Sequence, residues 1–129
     1  MPENNRIKHP FDTPLSAGLR FGTELIAWIA GPWAAGAYSA WLIVPALAVL
    51  VGLPSVFSTP GDKNVVVVPT PGPLRVLIEL FIYSVALLAP WMVWPQPVAV
   101  ATSLVVVASV ATGIPRIAWL FKGAPDEWD

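Results

Sequence analysis

The sequence predicts an all-α integral membrane protein: an up-down bundle of four transmembrane helices, built from two parallel-repeat helical hairpins. Three observations carry that expectation: a shortage of charge, two long uncharged runs and a segment that occurs twice. Of the 129 residues, 56% are hydrophobic and 12% are charged, about half the charge of an ordinary soluble domain. No Asp, Glu, Lys or Arg lies between Glu24 and Asp62, nor between Glu79 and Arg116. A membrane crossing takes about 20 mostly apolar residues. Each uncharged run is too long for one span and suits two short ones joined by a turn.

The elements follow in order. A tail over 1–14 ends at Thr13-Pro14, a proline helix start. The first hairpin covers 15–57, with helices expected over 15–33 and 40–57. Gly31, Pro32 and Gly36 interrupt its apolar pattern, and Trp33 and Trp41 flank the turn as boundary residues do. Its second helix is short and carries Pro45 and Pro54, so it is the one expected to bend or break. A connector over 58–72 contains a run of four valines and then several prolines, which reads as extended chain leading to a proline start at Pro73. The second hairpin covers 73–121, with helices over 73–92 and 98–121. Pro90 and Pro95-Gln96-Pro97 mark its turn, flanked by Trp91 and Trp94. A tail over 122–129 closes the chain.

All seven basic residues fall on one side of this topology: Arg6, Lys8 and Arg20, then Lys63 and Arg75, then Arg116 and Lys122. Cytoplasmic segments retain Lys and Arg, so both termini and the connector are expected in the cytoplasm, giving a multi-pass protein of a cytoplasmic membrane. The first apolar stretch contains Arg20 and Glu24 and runs straight into a second span, so no cleaved signal peptide is expected. There is no cysteine, which excludes disulfides and thiolate chemistry. No basic stripe points to nucleic acid, and nothing resembles a metal cluster, a nucleophile triad or a phosphate loop; no cofactor is expected. His9 reads as a solvated tail residue.

The repeat supplies the candidate site. Leu19-Arg20-Phe21-Gly22-Thr23-Glu24-Leu25-Ile26 aligns with Leu74-Arg75-Val76-Leu77-Ile78-Glu79-Leu80-Phe81, and Gly52-Leu53-Pro54 aligns with Gly113-Ile114-Pro115. Both copies start on the same side of the membrane, so the axis relating them runs along the bilayer normal and sets helices one and three face to face. Arg20, Glu24, Trp28 and Arg75, Glu79, Tyr83 are four residues apart, one turn above another on one helix face. A carboxylate in a span costs about 2–3 kcal/mol on insertion scales and turns to the bundle interior. Two readings stand side by side. In the structural one, the Arg–Glu pairs lie within a helix or cross-link helices one and three. In the functional one, Glu24 and Glu79 line a pocket open to the cytoplasm, where crowded carboxyls can hold a proton. Arg20, Arg75, Trp28 and Tyr83 then serve as ligand contacts. Arg116 either joins this cluster or binds a lipid phosphate, the latter being the simpler expectation. Buried Ser and Thr are expected to serve the helix backbones.

At the two LRxxxEL segments and Pro73-Leu74-Arg75, the chain resembles the YrdB-like family of small bacterial four-helix membrane proteins, a domain-of-unknown-function group. The resemblance spans residues 15–122 and is looser in helices two and four. It implies a four-helix architecture and a bacterial inner membrane, and it implies no chemistry.

Function follows from the carboxylates. The leading expectation is a pocket for a small hydrophobic or lipid-like molecule, with acid–base catalysis of an isomerase, cyclase or epoxide-opening kind if Glu24 and Glu79 split the roles. The alternatives are a small proton-coupled transporter acting as a homodimer, and an accessory subunit. The partners expected are membrane lipids, the hydrophobic ligand and a second copy of the chain.

Overall fold

A computed structural model describes residues 13–59 and 67–123. The basic residues Arg6, Lys8 and Lys63 and the tail His9 lie outside the described residues. The described chain is helical: α1 Pro14–Tyr38, a 3-10 turn Ala40–Leu42, α2 Ile43–Val56, α3 Gly72–Val93 and α4 Gln96–Phe121. Two short strands, β1 Phe57–Ser58 and β2 Val68–Pro69, pair in parallel and tie the end of α2 to the start of α3. Thr13 caps α1, its side chain accepting from the Ser16 amide at 3.1 Å, with Pro14 as the first helical residue.

The first turn differs from the sequence expectation: α1 continues through Gly31, Pro32 and Gly36 to Tyr38, past its expected end at 33, while α3 passes Pro90 and ends at Val93, one residue beyond its expected end. A proline removes one helix hydrogen bond, and it ended neither helix here. Pro32 and Pro90 are buried against neighbouring helices, and packing of this kind sustains prolines inside membrane helices. α2 behaves as its composition requires. A 3-10 turn precedes it and it runs for 14 residues only.

α1, α3 and α4 form the centre of the bundle, each packed on the other two, while α2 lies along the outside of α1 and touches α3 little. The α1–α3 interface is the most extensive. It is made of small residues, with Thr23, Ala27, Ala30, Ala86 and Ala89 all buried. Small side chains let helix backbones approach closely where lipid gives no hydrophobic drive to pack. The helices run up and down. At one end Gly72 meets α4 so closely that a Cβ there would overlap the Leu120 carbonyl, and Ser16 on α1 faces Gly113 on α4. At the other end Trp33 packs edge-on against Trp94 at 5.9 Å, and the Trp91 indole donates to Ser103 Oγ at 2.8 Å.

Polarity is inverted relative to a soluble protein. Arg75, Glu79 and Arg116 are buried, whereas Phe21, Leu25, Ile29 and Trp33, at four-residue spacing on α1, are exposed. α3 exposes Leu77, Leu80 and Leu88, and α4 exposes Leu104, Val107 and Ile114. An apolar exterior on this scale marks a surface made for lipid or for partners. Two helices, α3 and α4, are long and apolar enough to cross a membrane. α1 has the length, at 25 residues, but carries Arg20 and Glu24; Ala40–Val56 is apolar but shorter.

Candidate functional site

The interior charge cluster is assembled from α3 and α4, with α2 as its third wall. Arg75 and Glu79 are one turn apart on α3, and Arg75 Nε donates to Glu79 Oε2 at 3.0 Å. Arg116 approaches from α4 and grips the same carboxylate with two nitrogens: Nη1 to Oε1 at 2.9 Å and Nη2 to Oε2 at 2.6 Å. A bidentate guanidinium–carboxylate pair is the strongest form of this contact. Arg75 Nη1 turns to α2 and donates to the carbonyls of Pro54 at 2.9 Å and Phe57 at 2.7 Å. These carbonyls belong to the C-terminal end of α2, where the last turn has no amides of its own to bond. A cation is also the favoured charge at a helix C-terminus. Arg75 Nη2 is buried and has no hydrogen-bond partner.

Both Glu79 oxygens are therefore occupied by guanidinium donors, and the residue is 3% exposed. Arg116 joins this cluster, the other of its two expected places, and is buried against Glu79 where a lipid phosphate contact would leave it at the surface. Arg75 pairs with Glu79 within α3, as one form of the structural reading has it, and Arg116 reaches the same carboxylate from α4. The equivalent residues on α1 differ. Arg20 and Glu24 are only half-buried, and both engage neighbours. The repeat explains the asymmetry. The residue aligned with Arg116 is Ser55, which is exposed on α2, so the first hairpin's own sequence carries no arginine at the position from which Arg116 reaches Glu79.

The two aromatic positions also diverge. Trp28 Nε1 donates to the Leu50 carbonyl at 2.8 Å. Leu50 lies four residues before Pro54, whose ring nitrogen carries no hydrogen to give to that carbonyl. The indole of α1 thus supplies the bond that Pro54 withholds from its own helix. Trp28 also meets Phe21 edge-on at 6.2 Å. Tyr83 is buried in the central cluster with Ala27, Leu50, Ile82, Ala86 and Val106. Glu79, Arg116 and Arg20 all lie close enough to act on its hydroxyl. Ser109 is near the Tyr83 hydroxyl, and its buried Oγ makes no hydrogen bond.

Two grooves open on the helix surfaces. One, of about 420 Å³, runs between α3 and α4, bounded by Leu80, Tyr83, Leu87, Val106, Val110 and Ile114 among others. The second, of about 390 Å³, lies between α1, α2 and α3, with Gly31, Ala46, Leu50, Phe81 and Val85 in its walls. Tyr83 lines the first; Arg20, Glu24, Trp28, Arg75, Glu79 and Arg116 line neither. No group of three His, Asp or Glu side chains placed to hold a metal occurs among the described residues.

The sequence reasoning missed the backbone partners of Arg75 and the service of Trp28 to Leu50. The signal for the second was present, since a proline in a short apolar helix always leaves one carbonyl to be met from elsewhere. It missed Ser109 as an individual, for which one Ser among several gave no signal. No family model, curated protein or solved structure matches this chain.

Proposed function

We propose that this chain is a four-span protein of a bacterial inner membrane, with both termini cytoplasmic, that binds a small hydrophobic or lipid-like molecule in the groove between α3 and α4. One observation carries the reading: an apolar groove of about 420 Å³ that has Tyr83 and Ser84 as the polar groups in its wall. Sites for small apolar molecules combine an apolar lining with a few placed polar groups. A hydroxyl or carbonyl on the ligand would meet Tyr83 or Ser84, and its hydrocarbon would lie along Leu80, Leu87, Val106 and Val110. In this arrangement the Arg75–Glu79–Arg116 cluster fixes the spacing of α3 and α4 and so the width of the groove. Glu79 is not the group that touches the ligand, because its oxygens are already engaged. A transporter that exchanges protons on both carboxylates fits less well for the same reason.

The test is photolabelling in nanodiscs with a diazirine-bearing fatty alcohol, mapped by peptide mass spectrometry. Labelling is expected on α3 and α4 between residues 80 and 114, reduced several-fold by excess unlabelled alcohol and by Ser84→Ala or Tyr83→Phe. Uniform labelling of all exposed apolar residues, insensitive to competitor and to both variants, would reduce the groove to ordinary lipid contact. A second reading, an accessory subunit that needs its fold alone, is favoured by the complete engagement of Glu79. It predicts no saturable labelling and copurification with another membrane protein.

A further inference from the structure

We infer that the α3–α4 groove takes a neutral lipid carrying a hydroxyl partway along its hydrocarbon, and that Ser84 meets this hydroxyl at the middle of the bilayer. This rests on the groove reading above and narrows the lipid-like molecule to one class. Depth is the first constraint. α3 has 22 residues and α4 has 26, about 33 and 39 Å of helix against about 30 Å of hydrocarbon. Both are long and apolar enough to cross a membrane. Tyr83 stands eleven residues from the Gly72 end of α3 and ten from the Val93 end, with Ser84 beside it. The groove extends from Leu80 to Leu87 on α3 and from Val106 to Ile114 on α4. On both helices it stops six to ten residues short of either end, a clearance of about 9–15 Å. Its central placement is the same whichever end faces the cytoplasm.

A phospholipid or an ionised fatty acid keeps its charged group at the membrane boundary, because a charge at the bilayer centre is costly. Such a lipid reaches this groove only with the end of its chain, which has nothing to offer a polar wall. The groove nevertheless carries a polar group at its middle. Ser84 is exposed on α3, and its hydroxyl donates to the Leu80 carbonyl at 2.7 Å. Its hydrogen is spent within the helix, and the oxygen keeps acceptor capacity. The complement of that oxygen is a donor, which an alcohol has and a ketone, ester or ether lacks. A hydroxyl loses its water partners at this depth, and a bond to Ser84 offsets the loss. Leu80 and Leu87 lie about one turn to either side of Ser84 in the same wall. Hydrocarbon therefore has a place in both directions from the hydroxyl, and a terminal alcohol would fill only one of them.

The experiment is competition against the photolabel in nanodiscs, with unlabelled competitors of equal chain length. They are an alkane, the alcohol with its hydroxyl at mid-chain, the ketone with its carbonyl there, and the fatty acid. One hydrogen bond contributes about two- to tenfold in affinity. The mid-chain alcohol is expected to displace the label at a concentration lower by that factor than the other three require. Ser84→Ala, at an exposed position that leaves the fold intact, is expected to remove this advantage and to leave the potency of the alkane unchanged. An alkane or ketone as potent as the alcohol, or an advantage that survives Ser84→Ala, would overturn the inference while the groove itself stands. A fatty acid more potent than the alcohol would overturn it as well, by moving the polar contact to the boundary. Displacement by none of the four would remove the groove as a site, and this inference with it.

Discussion

The residue with most at stake is Glu79. Two guanidinium groups meet its oxygens at 2.6 to 3.0 Å in a setting that excludes solvent. Removing one member of a buried ionic cluster strands the others and costs about 3–5 kcal/mol. Glu79→Gln keeps the shape and loses the charge, so it is expected to lower stability by an amount in that range, measured by reversible unfolding in mixed micelles. Glu24→Gln, at a half-buried position, is expected to cost less than half as much. Equal losses would mean that the two repeats are equivalent after all, against the asymmetry of Arg116 and Ser55. The sequence made these residues visible, because an Arg and a Glu four apart, twice, in otherwise uncharged spans cannot be overlooked. It could not assign Arg116. Whether an arginine near a helix end turns inward or snorkels to the boundary depends on the rotation of that helix, and the apolar pattern of α4 is too uniform to fix its rotation.

At the scale of the element, α2 illustrates how a weak helix is held by others. Its Pro54 leaves the Leu50 carbonyl without an amide, and the Trp28 indole takes that place. A double-mutant cycle tests the exchange. Trp28→Phe alone is expected to destabilise the protein by about 1–3 kcal/mol, the cost of a buried acceptor left unmet. In a Pro54→Ala background the helix supplies its own amide, and the same substitution is expected to cost clearly less. Additive effects would show that the indole contributes packing only. Element existence was legible: all four helices fall where the charge gaps and prolines put them, and the weakness of α2 was readable from Pro45 and Pro54. Their ends were less so. α1 was expected to stop at 33 and runs on to Tyr38 through Gly36, whereas α3 ends at Val93, within one residue of expectation. The pairing of Phe57–Ser58 with Val68–Pro69 left no mark beyond a valine run that suggested extended chain.

For the whole molecule, the inverted distribution of polarity is the feature that governs the rest. Two helices meet the length and apolarity of a membrane span, and the exposed Phe21, Leu25, Ile29 and Trp33 extend the apolar surface to α1. The four-span topology we propose predicts sidedness. A cysteine at Lys122 should react with an impermeant maleimide only when the cytoplasmic face is accessible, and one at Ser39 only from the opposite face; reaction of both from the same face would remove one crossing from the scheme. The same cluster that organises the finished bundle also constrains how the chain is made. In the topology we propose, Arg75 and Glu79 leave the ribosome together on one helix and can neutralise each other as α3 enters the bilayer, whereas Arg116 follows 37 residues after Glu79. A chain stalled between the two would hold Glu79 without the bidentate partner that α4 supplies.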